Sequence, residues 1–199
     1  RAHEYGLKAY LTLNTIIYDN DIPIMERLLD EAARAGVDAI IASDIAVILD
    51  ARARNLSVHI STQQNISNSR AVEYFAQWAD TVVLARELSL AQVHTIADAI
   101  RDRCITGPSG KLVRIEIFAH GALCMAISGK CYLSLHTYSA SANRGQCMQV
   151  CRRRYRVHDI EDGFELEIDN EHIMSPKDLC TIDFLDRIIS AGVSVLKIE

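Results

Sequence analysis

Residues Glu31–Asp44 read EAARAGVDAIIASD, and residues Arg187–Glu199 read RIISAGVSVLKIE. In each, a segment with helical patterning runs into a glycine, and the glycine leads straight into an apolar run. A glycine in that place suits the left-handed residue that ends a helix. The runs that follow, VDAIIAS and VSVLKIE, are short and almost wholly apolar. Strands buried on both faces and fed by helices are the mark of a parallel sheet.

Outward from these joints the same rhythm recurs. PIMERLLDEAARAG carries Ile24, Leu28, Leu29 and Ala32 at helical spacing, with Gly36 at its end. LKAYLTLN, VHISTQ, TVVLARE and LVRIEIFA read as further strands. DIAVILDARAR, SRAVEYFAQWA, LSLAQVHTIADAIRDR and TIDFLDRIISAG read as the helices between them, and the strands number six. AHEYG, before the first strand, reads as the last turn of a helix capped by Gly6. The chain therefore begins inside a βα unit, which suggests a fragment.

The expected fold class is α/β: a parallel, TIM-like (β/α) barrel that lacks the first two of its eight strands. An open doubly wound sheet is the alternative. Residues 1–199 form one partial barrel domain. Its open strand edges invite cover, from a further segment of the protein or from a second copy in a homo-oligomer. The rhythm breaks over residues 120–176, a cysteine-rich insert after the penultimate strand. It holds SASANRG, an arginine run and the hairpin pattern YRVHDIEDGFELEID. In a barrel such an insert lies on the face where active sites are built.

Hydrophobic residues make up 49% of the chain, enough for a sizeable core, and the net charge of −5 means that any RNA contact must come from a local patch. No run of eighteen apolar residues occurs, so no membrane span is expected. The start, RAHEYGLKAYL, lacks the blocks of a signal peptide, which makes a cytoplasmic chain the default. A start at Arg1 keeps the secreted setting open. In the cytoplasm six cysteines point to metal binding or reactivity rather than to disulfides.

The cysteines fall as Cys124-x6-Cys131-x15-Cys147-x3-Cys151, with Cys180 in SPKDLC. Thiolates suit zinc or the iron of an iron–sulfur cluster. Structural zinc sites favour two close pairs, often C-x2-C. The wide, uneven spacing here suits a cluster ligated from several loops, with zinc the runner-up. Cys104, at a helix end, reads as a buried hydrophobe.

EIFAHGALCMAISGKCYLS, NRGQCMQVCRRRY, SPKDLC and VLKIE resemble successive blocks of the bacterial collagenase-like peptidases of unclassified catalytic type. The resemblance runs over essentially the whole chain. It implies a barrel that begins two strands earlier and continues past Glu199. For several members it also implies oxygen-independent hydroxylation: of the wobble uridine of tRNA, of a ribosomal RNA cytidine, or of a ubiquinone precursor. With that come a 4Fe-4S cluster on four cysteines and prephenate as hydroxyl source. Carried over by position, the ligands are Cys124, Cys131, Cys147 and Cys180, with Cys151 the contender for the third place. The leading expectation is an enzyme that hydroxylates tRNA, and the family name keeps a peptidase as the alternative. No H-E-x-x-H or G-x-S-x-G occurs. A cysteine nucleophile, Cys124 or Cys131 beside a histidine, is the form a peptidase would take.

Polar residues at strand ends are the candidate catalytic and substrate-binding groups: Asn14, Asp44, Gln63, Arg86, Glu87, Glu116, His120, Lys197 and Glu199. Carboxylates among them suit acid–base work, and Arg86 or Lys197 suits a carboxylate substrate. Each could equally be structural, as Asp44 would be if it caps the helix that follows it. CRRRYR places Arg152, Arg153, Arg154 and Arg156 around Tyr155, a pattern that fits RNA phosphate and base stacking, or a solvated hairpin face.

Overall fold

The computed structural model describes residues 1–153, 155–158, 160–166 and 177–199. Six strands lie parallel in chain order: β1 (Tyr10–Leu13), β2 (Ala39–Ala42), β3 (Val58–Ile60), β4 (Thr81–Val83), β5 (Arg114–Ala122) and, last in the chain, β9 (Val195–Ile198). Helices α1 (Ile22–Ala35), α2 (Ile45–Ala53), α3 (Ser69–Phe75), α4 (Leu90–Asp102) and α6 (Leu185–Ser190) connect them. The result is a half-barrel, an incomplete TIM-like sheet whose edges β1 and β9 each have one strand partner among the described residues.

Local sequence explains most of the boundaries. Pro23 sits in the first turn of α1, where its missing N–H costs nothing, and Gly36 ends the helix at φ 68°. Asp44, Asn68 and Ser89 cap α2, α3 and α4 through their side chains. Gly6 caps a short 3-10 turn, Ala2–Tyr5, at φ 70°.

The core lies between sheet and helices. Val58 and Ile60 of β3, Ile40 of β2 and Ile115 of β5 meet Leu29, Val47, Ile48, Val72 and Ile96 from the helices. Each such side chain, fully buried, contributes about 1.5–3 kcal/mol. On α1 the buried stripe is Met25, Leu29 and Ala32, whereas Ile24 and Leu28 stay exposed. Cys104 is likewise not a core residue. Behind α4 the chain reverses through Cys104 at φ 48°, which buries Ile105 and turns the thiol out to solvent.

The insert departs from the parallel sheet. It contains α5 (Leu133–Tyr138) and a two-residue antiparallel pair, β6 (Val157–His158) with β7 (Glu165–Leu166), where the hairpin was expected. Its exit strand, β8 (Asp178–Cys180), runs antiparallel to the end of β5 and sets Cys180 opposite His120. Among the described residues, no helix is long and apolar enough to cross a membrane.

Candidate active site

Alternation along each strand sends one set of side chains to the helices and the other to the concave face of the half-barrel. At the C-terminal ends of β1–β3 that second set forms a polar network. The Ser43 hydroxyl lies 2.8 Å from the Asn14 carbonyl and 2.9 Å from the Gln63 side-chain amide. The Asn14 amide reaches the Ser61 hydroxyl at 3.5 Å. Asp44 has both oxygens committed: Oδ1 accepts from the Ala46 amide at 2.9 Å and Oδ2 from the Ile17 amide at 3.0 Å. It is a cap and a loop anchor.

The ends of β4, β5 and β9 are cationic. The Arg86 guanidinium and the Lys197 ammonium both address the ring of Phe118, at 5.7 and 5.3 Å from its centroid. Arg86 donates to the Ala126 carbonyl at 3.0 Å, but its Nε is buried without a partner. Beside it lies an apolar cavity of about 190 Å³ walled by Leu84, Leu90, Val93, Phe184 and Ile188. Glu87, His120 and Glu199 are exposed. Glu116 pairs with Val83 at the end of β4, level with Ser43 and Ser61. It is the third residue of β5, 5% exposed, with its carboxylate 3.7 Å from Nδ1 of the equally buried His59. That histidine was not among the expected residues, although the alternation of VHISTQ puts His59, Ser61 and Gln63 on one face.

Further contacts fasten the insert over this mouth. Asn65 donates to the Ser128 carbonyl at 2.9 Å, and Gly129 packs on the Gln63 stem. Arg144 holds Asp21 with two bonds, at 2.7 and 3.2 Å, donates to the Ile16 carbonyl at 3.0 Å, and stacks 4.0 Å above Tyr18. The guanidinium keeps the Asp21 carboxyl below the usual carboxylate range. The Thr181 amide and hydroxyl both donate to the Ala119 carbonyl.

Cys124, Cys147 and Cys180 are exposed, and Cys131 and Cys151 half-buried. Burial first, and then the nearness of Cys124, Cys147 and Cys131, push the Cys151 thiol up. Four soft donors thus share one neighbourhood, and their chemistry fits zinc or iron. Among the described residues no three His, Cys, Asp or Glu side chains stand at ligating separations. Of the arginine run, Arg152 pairs with Asp178, Arg153 meets the hydroxyl and ring of Tyr138, and Arg156 is exposed. Arg154 lies outside the described residues.

The model of peptidase family U32 matches residues 1–199. A collagenase of Porphyromonas gingivalis is 56% identical over 98% of this chain and 47% of its own length. The 23S rRNA 5-hydroxycytidine C2501 synthase of Escherichia coli is 38% identical over the whole chain and 28% of its own length. The tRNA hydroxylation protein P1 of Bacillus subtilis is 36% identical over the whole chain and 46% of its own. The chain spans about half the length of the first curated relatives it matches. No solved structure matches it. A family match from the first residue to the last, carried on a parallel half-barrel whose cysteine insert crowns the strand ends, means that this chain belongs to peptidase family U32.

Proposed function

We propose that this chain is the cluster-bearing half of an enzyme that hydroxylates RNA, with the wobble uridine of tRNA as the leading target. The observation that carries the reading is the shared neighbourhood of Cys124, Cys131, Cys147 and Cys151 beside an arginine run. Relatives named for tRNA and ribosomal RNA hydroxylation support it. The ligands of a 4Fe-4S cluster would come from these four thiols and Cys180. Such a cluster supplies electron transfer or an iron site for a substrate group.

The chain's own residues would then bind and orient. Arg86 and Lys197, two cations on one ring, repel each other unless an anion lies near. The unpartnered Nε of Arg86 adds a free donor. A small carboxylate satisfies both conditions, and prephenate, as hydroxyl source, is the one this reading names. Arg153 and Arg156 would meet phosphate.

RNA mass spectrometry of a deletion strain tests the reading: loss of one hydroxyl from tRNA or ribosomal RNA is expected, and an unchanged profile rejects it. Full-length protein prepared without oxygen should carry about four iron and four sulfide. Stoichiometric zinc without iron would reject the cluster. A peptidase is the second reading, favoured by the collagenases among the relatives. Gelatin hydrolysis by the same preparation, lost in Cys124→Ala or Cys131→Ala, would establish it.

A further inference from the structure

A second cavity, of about 350 Å³, opens above the ends of β2 and β3, under the insert. Its size falls within the range of small-molecule sites. Ile16 and Ile45 are exposed apolar walls, and Gln63, Asn143 and Lys130 supply polar groups.

Gln63 is held at two points. Gly129, at φ 73°, brings its backbone so close that an added Cβ would stand 3.3 Å from the Gln63 Cβ. The structure sets the Gln63 amide oxygen, Oε1, 2.9 Å from the Ser43 hydroxyl. A serine hydroxyl has one proton, and two groups compete for it. The Asn14 carbonyl, 2.8 Å away, can only accept, whereas an amide can turn and donate. With the proton on Asn14, Ser43 offers Gln63 only lone pairs. Turning the Gln63 amide over relieves this competition: its nitrogen would then donate to Ser43, and its oxygen would be left for the cavity.

We infer that this cavity receives the target base of the RNA, extruded from its stack, and that Gln63 reads an N–H on the base edge through its amide oxygen. This deepens the hydroxylase reading and rests on it. The apolar walls would take the faces of a flat ring, as protein pockets for flipped bases do. Lys130, exposed at the rim, would take a neighbouring carbonyl or phosphate. Hydroxylation of uridine or cytidine makes the base a pyrimidine. Both carry the required N–H, uracil at N3 and cytosine at N4.

The test uses full-length protein and RNA hairpins with 2-aminopurine next to the target pyrimidine, whose fluorescence rises when the neighbour unstacks. Four target bases are compared: uridine, N3-methyluridine, cytidine and N4,N4-dimethylcytidine. Wild type should raise the fluorescence and prefer one unmethylated base over its methylated form by about five- to tenfold, the worth of one hydrogen bond. Gln63→Met, close in size but without the amide, should bind RNA and treat the paired bases alike. Ser43→Ala, which frees the amide to turn, should lie between. Gln63→Met that still discriminates as wild type does would overturn the pocket while leaving the hydroxylase reading intact. Wild type that binds no hairpin would overturn both.

Discussion

Gly121 is the position where one added carbon should do most damage. Its φ is +130°, which side-chain-bearing residues rarely adopt, and a Cβ there would fall 1.8 Å from the Glu199 carbonyl oxygen and 2.8 Å from its carbon. Both atoms are backbone, so no rotamer change relieves the clash. In Gly121→Ala the end of β9 must move away from β5, breaking the bond from the Glu199 amide to the His120 carbonyl, now 3.0 Å. The strained φ costs about 1–3 kcal/mol, the forced displacement about another 1–3, and the lost bond about 1. The sum, roughly 3–7 kcal/mol, is a large share of the 5–15 typical of a folded domain. In urea the unfolding midpoint should fall by about 1–3 M. Gly163→Ala is the control: φ is similarly positive at 72°, but nothing lies within 4 Å of the new carbon. A Gly121→Ala midpoint no lower than that of Gly163→Ala would refute the reasoning.

Asp44→Ala removes a helix cap and the acceptor for Ile17, and should cost about 2 kcal/mol in urea unfolding, most of it from the cap. The Asp21 carboxyl titrates below its ordinary range, so its bond to Arg144 stabilises the fold at every pH above that range and is lost only as pH falls through the lowered value. The protection factor of the Ile16 amide, which removes the intrinsic pH dependence of exchange, should therefore stay level from neutral to mildly acidic pH, fall in strong acid, and be low throughout in Arg144→Ala. Among single cysteine substitutions, Cys104→Ser should leave the visible absorbance of anaerobic protein unchanged, while Cys124→Ala and Cys131→Ala should abolish it. Replacing Arg152, Arg153 and Arg156 together should flatten the salt dependence of tRNA binding by about two to three units of slope, if each meets one phosphate; an unchanged slope would mark the run as a solvated face.

The barrel rhythm was legible because each βα unit is local. Glycine caps, side-chain caps and apolar runs decide it within a dozen residues, as Gly36 and Asp44 do. Contacts between distant segments were not legible. Nothing near Glu116 announces His59, because the pair is made by the spacing of β3 from β5. The path of the insert depends on Thr181 reaching back to Ala119 and Arg144 reaching back to Asp21. The thiols around Cys151 come together through those same long closures. Cys104 was misread because composition says that a thiol packs well, whereas a left-handed turn decides where it points.

The short ladder between β5 and β8 has a consequence for how this fold can vary. The insert leaves the sheet at Ala122 and re-enters it at Asp178, paired residues in one antiparallel register. Its two ends are tied together by the sheet itself. Lengthening such a closed loop is cheap: doubling it costs only about 0.6 kcal/mol in chain entropy. Insertions between these anchors need not disturb the register of any parallel strand. One half-barrel can therefore carry crowns of quite different size while the strand ends beneath keep the same groups in place.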